Sequence, residues 1–156
     1  SASGKIETKT NSSRYKTSTP KITLDIRRIY ELEARALDGL ERSYKGAIER
    51  GVRLRGEKDT VELDGLVVSR TGRDIVFEVK YLATSRNFLS WINFISLQLE
   101  RTILRYKSIT GKDALIHFVL ILEDGVVLSA RQRAALNGLK FDEISILSAG
   151  SLAPKS

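Results

Sequence analysis

Apolar residues recur along the chain with two different spacings, and the change of spacing divides it into helices and strands. Steps of three and four predict a long helix at 22–44, a second at 84–109 and a short one at 129–136. Short apolar or alternating runs predict five strands, at 46–54, 61–68, 74–81, 113–122 and 141–147. The order α-β-β-β-α-β-α-β predicts an α/β fold with a central mixed sheet of about four to five strands flanked by helices.

The two ends of the chain lack this pattern. Residues 1–21 are rich in Ser, Thr and Lys and have almost no apolar side chains, so we expect a basic flexible linker or tail there. The expected domain covers 22–148, and 149–156 is read as a C-terminal tail. Within the domain, the strand at 74–81 is apolar on both faces, which predicts a central position in the sheet.

The two long helices differ in how clearly their buried faces are defined. In the second, Phe94 and Leu97 widen the apolar stripe, as expected for a helix packed against a sheet. In the first, the stripe has a gap that Glu33 fills at helical spacing. Either Glu33 is a buried carboxylate that needs a partner or a cation, or Leu32 and Ala36 form the true stripe and Glu33 lies at its margin.

Three charged residues interrupt the hairpin predicted at 61–81. Glu78 and Lys80 are two apart on one strand, so their side chains point to the same face. In the natural register of a hairpin, Asp64 on the preceding strand lies across from them. Two carboxylates and an amine that converge on one point are typical of a site that binds a divalent metal ion and water.

Composition and charge narrow the classes of function. The net charge is +7, and residues 1–21 carry five basic side chains against one acidic side chain, more than half of that excess. A basic surface favours nucleic acid, with an anionic membrane as the next candidate and a merely solvated surface as the alternative. The chain has no Cys, which excludes disulfides and thiolate metal sites, and no GxGxxG or GxxxxGK[ST] pattern, which disfavours nucleotide cofactors.

The text LDGLVV followed by IVFEVKY, with an acidic helix ahead of both, resembles the PD-(D/E)xK nuclease superfamily. These are proteins with the restriction-endonuclease-like fold, among them archaeal Holliday-junction resolvases. The resemblance covers roughly residues 22–122, where the element order also matches the family's core. The Pro that often precedes the aspartate is Leu63 here. The resemblance implies a restriction-endonuclease-like core for this domain.

The resemblance also implies roles for individual residues. Asp64 and Glu78 would bind Mg²⁺ or Mn²⁺ together with the backbone carbonyl of Val79, and Lys80 would hold the attacking water or stabilise charge on the phosphate. Glu33 matches the helix glutamate that completes the site in many members. Weaker matches are Glu31 and Glu41 for that glutamate, and Gln98 for a polar residue near the metal.

Other polar residues carry alternatives that the sequence leaves open. A set of arginines is placed to contact phosphates or, equally, to form a solvated edge: Arg50, Arg53, Arg55, Arg70 and Arg73. His117 lies in a continuous apolar run, which favours a hydrogen-bonded core histidine over a metal ligand.

The sequence therefore predicts a metal-dependent nuclease that hydrolyses phosphodiester bonds in DNA as an endonuclease. The alternative is an inactive domain of the same fold that binds nucleic acid or a protein, as a module of a larger or membrane-associated protein. A homodimer is one further expectation. The absence of Met, even at position 1, leads us to expect a piece of a larger parent chain. No apolar run is long enough to span a membrane, so we expect a cytoplasmic location, with a tether ahead of Ser1 left open.

Overall fold

A computed structural model of the chain describes the backbone of residues 5–8, 20–44 and 46–153, with side chains from residue 25 onwards. It shows an α/β fold, a mixed sheet flanked by helices, as the sequence predicts. The elements are β1 (Lys5–Thr8), α1 (Pro20–Glu41), β2 (Glu49–Arg55), β3 (Thr60–Val67), β4 (Asp74–Leu82), α2 (Phe88–Thr110), β5 (Ala114–Leu122), α3 (Ala130–Asn137), β6 (Glu143–Ser148) and α4 (Ala149–Leu152).

The strands lie in the sheet in the order in which they occur along the chain, β1-β2-β3-β4-β5-β6. The first four form an antiparallel meander. Strands β4, β5 and β6 are parallel, because α2 and α3 carry the chain back between them. The predicted central position of β4 is confirmed, since it lies between β3 and β5.

Each face of the sheet is covered by one pair of helices. On one face, Leu32, Ala36 and Leu37 of α1 and Ala149 of α4 pack against Phe77 and other apolar residues of the sheet. On the other face, α2 and α3 cover apolar side chains of β5 and its neighbours. Within residues 20–44 and 46–153, no helix is long and apolar enough to cross a membrane.

Three features differ from the sequence prediction. Residues 5–8 form the edge strand β1 within the stretch predicted as a linker, while most of that stretch lies outside the described residues. The predicted C-terminal tail begins with the short helix α4, and residues 154–156 also lie outside the described part. The placement of Phe94 and Leu97 on the buried face was wrong, because each is 57% exposed on the outer side of α2.

The sheet opens between β3 and β4, and this opening positions the site. The two strands pair only from Gly65 to Val67 on β3, and the half of β3 before Gly65 pairs with β2 alone. A Cβ atom on Gly65 would lie 2.9 Å from Ile48 and 3.1 Å from Phe77, so only glycine fits at the point where the strands diverge. On β2, Arg50 is the residue opposite Gly65, and the next residue, Gly51, has a φ of 54°, which also favours glycine.

Candidate active site

Asp64 lies at the point where β3 leaves β4. Its carboxylate accepts a hydrogen bond of 2.8 Å from the backbone N–H of Val79. No carbonyl of β3 pairs with that N–H, so the carboxylate supplies the acceptor that a buried backbone donor needs. The half-buried Asp64 side chain is thus held beside β4 at the opening of the sheet.

Glu78 and Lys80 form an ion pair on β4, with 3.1 Å between the Lys80 Nζ and a Glu78 carboxylate oxygen. This confirms that the two side chains share a face. Burial tends to lower the pKa of Lys80, but the carboxylates of Glu78, Asp64 and Glu33 together raise it above its ordinary value. Lys80 therefore lies in the combined field of the three acidic residues that the sequence singled out.

Glu33 reaches this region from α1. Leu32, Ala36 and Leu37 are the α1 residues buried against the sheet, so the second interpretation of the stripe is confirmed and Glu33 lies at its margin. Its side chain is half-buried rather than part of the core. The marginal position turns Glu33 toward the opening of the sheet, where the other acidic residues lie.

One cleft of about 480 Å³ collects these residues. Glu33, Asp64, Glu78, Val79 and Lys80 all line it, so the structure brings together the whole set named for metal binding and catalysis. Arg50, named above for phosphate contact, also lines the cleft, together with three polar residues that the sequence did not single out, namely Tyr30, Glu62 and Tyr81. Of these, Glu62 could have been predicted from the sequence, because it lies two residues before Asp64 on the same strand and residues two apart share a face.

A polar cluster anchors α1 near the cleft. Both terminal guanidinium nitrogens of Arg28 donate to Glu123, at 2.5 and 2.9 Å, and the hydroxyl of Tyr81 donates to the same carboxylate. These hydrogen bonds lower the pKa of Glu123 to about 2. Because Arg28 lies on α1 and Tyr81 lines the cleft, the cluster ties the helix that carries Glu33 to the end of β4.

The donor set fits a hard divalent cation in its chemistry. Carboxylate oxygens and a backbone carbonyl are the ligands that Mg²⁺ prefers, and the cleft offers both kinds. Among the described residues, however, no three acidic or histidine side chains are grouped closely enough to hold an ion in this arrangement. The Lys80 ammonium, paired with Glu78, supplies the positive charge at this point. An ion would have to share Glu78 with Lys80 or displace it.

The weaker candidates are separated by the structure. Glu41 accepts a hydrogen bond from the Ile48 N–H at 2.8 Å and pairs with Arg50, so it supports the chain between α1 and β2. Glu31 is exposed and lines no part of the cleft. Gln98 lies on α2 in a neighbouring cleft that also contains Glu78, rather than in the cleft with Asp64.

The arginines proposed for phosphate contact are spread over the molecule. Arg50 lines the cleft but is paired with Asp38 at 2.6 Å and with Glu41. Arg53 lies 3.7 Å from Glu62, and Arg55 is exposed at the end of β2. Arg70 and Arg73 are exposed in the turn between β3 and β4 and line neither cleft. The structure therefore does not gather these five residues into one surface.

His117 is a buried core residue, as the sequence favoured. It is 2% exposed, and its ring nitrogens lie 2.7 Å from the Tyr44 hydroxyl and 2.8 Å from the Ser145 hydroxyl. Burial lowers its pKa, although the nearby Glu143 carboxylate partly offsets the shift. Burial also raises the pKa of Tyr44 to about 12. His117 thus belongs to a buried hydrogen-bonded network on β5 that includes Tyr44 and Ser145.

No protein family model matches the chain, and no curated protein is significantly similar to it. Its function is therefore inferred from the residues and geometry of the cleft.

Proposed function

We propose that this chain is a metal-dependent nuclease of the PD-(D/E)xK superfamily that hydrolyses phosphodiester bonds in DNA as an endonuclease. The observation that supports the proposal is the convergence of Glu33, Asp64, Glu78 and Lys80 on one cleft at the opening between β3 and β4. These residues come from three separate elements, so their meeting is a property of the fold. A simple surface ion pair between Glu78 and Lys80 would not require Glu33 and Asp64 to lie in the same cleft.

The acidic residues would hold the metal ion. Asp64, Glu78, Glu33 and the backbone carbonyl of Val79 are the groups that would bind Mg²⁺ or Mn²⁺. When bound, the ion would neutralise charge on the phosphate and make a bound water more acidic. The hydrogen bond from the Val79 N–H keeps the Asp64 side chain in place, which orders this donor before any substrate binds.

Lys80 acts on the substrate side of the site. Its ammonium group carries donors only, so it orients the attacking water and stabilises the negative charge that develops on a phosphate oxygen. Glu78 holds the ammonium group at 3.1 Å. A lysine next to the carboxylates also lessens the repulsion between an acidic cleft and a polyanionic strand.

A cleavage assay with a matched pair of aspartate variants tests the proposal. In Mg²⁺, the wild type should cleave at least one of linear, circular, branched and single-stranded DNA. Asp64→Asn should lose at least about a hundredfold in rate, on the scale seen when a ligand or transition-state contact is removed. Asp113→Asn, which alters a surface carboxylate 59% exposed, should cleave at the wild-type rate. Equal inactivity of all three proteins on every substrate would overturn the proposal.

A second candidate function is nucleic-acid binding without turnover, and the ion pair between Lys80 and Glu78 favours it, because one carboxylate of the set is already engaged. Calorimetric titration with Mn²⁺ separates the two functions. Saturable binding that is lost in Asp64→Asn supports the nuclease. Salt-dependent DNA binding with no Mn²⁺ binding supports the second candidate.

A further inference from the structure

A second cleft of about 450 Å³ opens beside the candidate active site, on the side of the sheet that α2 covers. Glu62 and Glu78 line both clefts, so the two meet where β3 and β4 diverge. The wall that α2 contributes includes Gln98, Arg101 and Arg105. These residues are three and four apart, which places them along one face of the helix.

The charges in this cleft differ from those in the first. Arg101 and Arg105 are exposed, and neither has an ion-pair partner within the described residues. The carboxylates that share the cleft are engaged elsewhere, because Glu62 lies 3.7 Å from Arg53 and Glu78 lies 3.1 Å from Lys80. The second cleft therefore presents two guanidinium groups that form no ion pair with the carboxylates of the described residues.

The spacing of these groups suits a repeating anion. Four residues along a helix correspond to a rise of about 6 Å, so Arg101 and Arg105 can reach different phosphates of one strand. Guanidinium groups bind phosphate oxygens through two parallel hydrogen bonds. The amide of Gln98 on the same helix and the hydroxyl of Thr60 at the start of β3 add neutral donors to the cleft. Arg50 in the first cleft offers no such contact, since Asp38 and Glu41 already bind it.

We propose that the second cleft is a binding site for the phosphodiester backbone of nucleic acid, with Arg101 and Arg105 contacting phosphates that flank the one at Lys80. The inference rests on the proposed function, which places a nucleic-acid strand across the opening between β3 and β4. It adds a ligand class and two contact residues on α2. It also gives the opening between β3 and β4 a second role, because one nucleic-acid strand would cross this opening and contact both clefts.

The test is DNA binding by the double variant Arg101→Gln/Arg105→Gln. Binding is measured by the fluorescence anisotropy of a labelled oligonucleotide in EDTA. The matched control is Arg131→Gln/Arg133→Gln, which removes two exposed arginines from α3 that line neither cleft. We expect binding by the test variant to weaken about tenfold or more, and the slope of log K against log salt to fall by about one to two. The control should stay within about twofold of the wild type.

Each outcome decides the matter, because both pairs of arginines are exposed and urea unfolding reports whether either variant is destabilised. Wild-type affinity and slope in the test variant would overturn the second cleft as a binding site. An equal loss in both variants would also overturn it, because binding would then follow total charge alone. The assay needs no metal and no cleavage. A selective loss in a protein that never cleaves DNA would keep the binding cleft and reject the nuclease.

Discussion

The carboxylate of Asp64 accepts a hydrogen bond from the backbone N–H of Val79 across the gap where β3 and β4 no longer pair. This hydrogen bond completes the edge of β4 at the point where the sheet opens. It also puts the acidic side chain next to Glu78 and Lys80, which lie on either side of Val79 in the sequence. The cleft therefore forms at the point where β3 and β4 diverge, and the same hydrogen bond stabilises both features.

Gly65→Ala tests whether the divergence depends on close packing at Gly65. The new methyl group would lie 2.9 Å from Ile48 and 3.1 Å from Phe77, so we expect unfolding to become easier by about 1–3 kcal/mol. Urea denaturation measures the change. The control is Gly39→Ala in α1, where a Cβ meets nothing within 4 Å and helix propensity predicts a gain of about 0.5–1 kcal/mol. Equal effects in the two variants would show that Gly65 is not constrained.

Asp74→Asn tests the buried carboxylate at the start of β4. Asp74 is 1% exposed, and it accepts hydrogen bonds from the Ser69 N–H at 2.9 Å, from Lys112 at 2.5 Å and from the Tyr106 hydroxyl. We expect a loss of about 2 kcal/mol at neutral pH, because all three bonds are accepted by the charged carboxylate. The exposed pair of Lys107 and Asp113 provides the control, since Asp113→Asn should cost less than about 1 kcal/mol.

The same carboxylate predicts a pH dependence. Burial opposes ionisation of Asp74, but Lys112, Tyr106 and Ser69 outweigh it and hold its pKa below the ordinary value. Its contribution to stability is therefore complete above the unfolded-state pKa of about 4 and is lost as the pH falls through the lower folded-state pKa. The difference in unfolding free energy between wild type and Asp74→Asn should shrink below about pH 4. A constant difference down to pH 2 would argue against this assignment.

His117 predicts a second loss of stability in a higher pH window. Burial lowers its pKa, so the folded state resists a proton that the unfolded chain accepts at about pH 6.5. Stability is complete above that pH and falls toward the lower folded-state pKa, by at most about 1.4 kcal/mol per pH unit. The decline that begins as the pH falls below about 6.5 should be absent in His117→Gln and present in Glu143→Gln. An unchanged decline in His117→Gln would assign it to another group.

Glu33→Gln tests whether α1 contributes to the chemistry. Glu33 lines the cleft with the other acidic residues, whereas Glu31 on the same helix is exposed and lines none of it. We expect Mg²⁺-dependent cleavage to fall about 10–100-fold in Glu33→Gln and to be unchanged in Glu31→Gln. Measuring the rate at several Mg²⁺ concentrations shows whether the loss comes from weaker metal binding. Matching rates in the two variants would remove Glu33 from the site.

Strand and helix periodicity predicted much of the fold and the core of the candidate site. The i, i+2 spacing of Glu78 and Lys80 sufficed to place them together, and the gap in the α1 stripe drew attention to Glu33. The opening of the sheet was not predictable in the same way. It depends on tertiary contacts of Gly65 with Ile48 and Phe77 and on a backbone hydrogen bond to Asp64, which leave no periodic trace.

Two errors have a common physical cause. Phe94 and Leu97 were placed on the buried face of α2 because they are apolar, but hydrophobicity alone does not say which side of a helix with apolar residues all round meets the sheet. Strand β1 pairs with β2 through its backbone, in a stretch whose side chains show no strand pattern. In both cases the missing information lies in neighbours that are distant along the chain.

The most direct test of the account is the single-turnover rate of Mg²⁺-dependent DNA cleavage by Lys80→Gln. In the proposed function, Lys80 distinguishes a hydrolytic site from a bare metal site, and its side chain is paired with Glu78 at 3.1 Å. The control is Lys107→Gln, whose lysine is 57% exposed and lines neither cleft. We predict a loss of at least about a hundredfold in Lys80→Gln with DNA binding retained, and no loss in Lys107→Gln. Cleavage by Lys80→Gln at the wild-type rate would contradict the account.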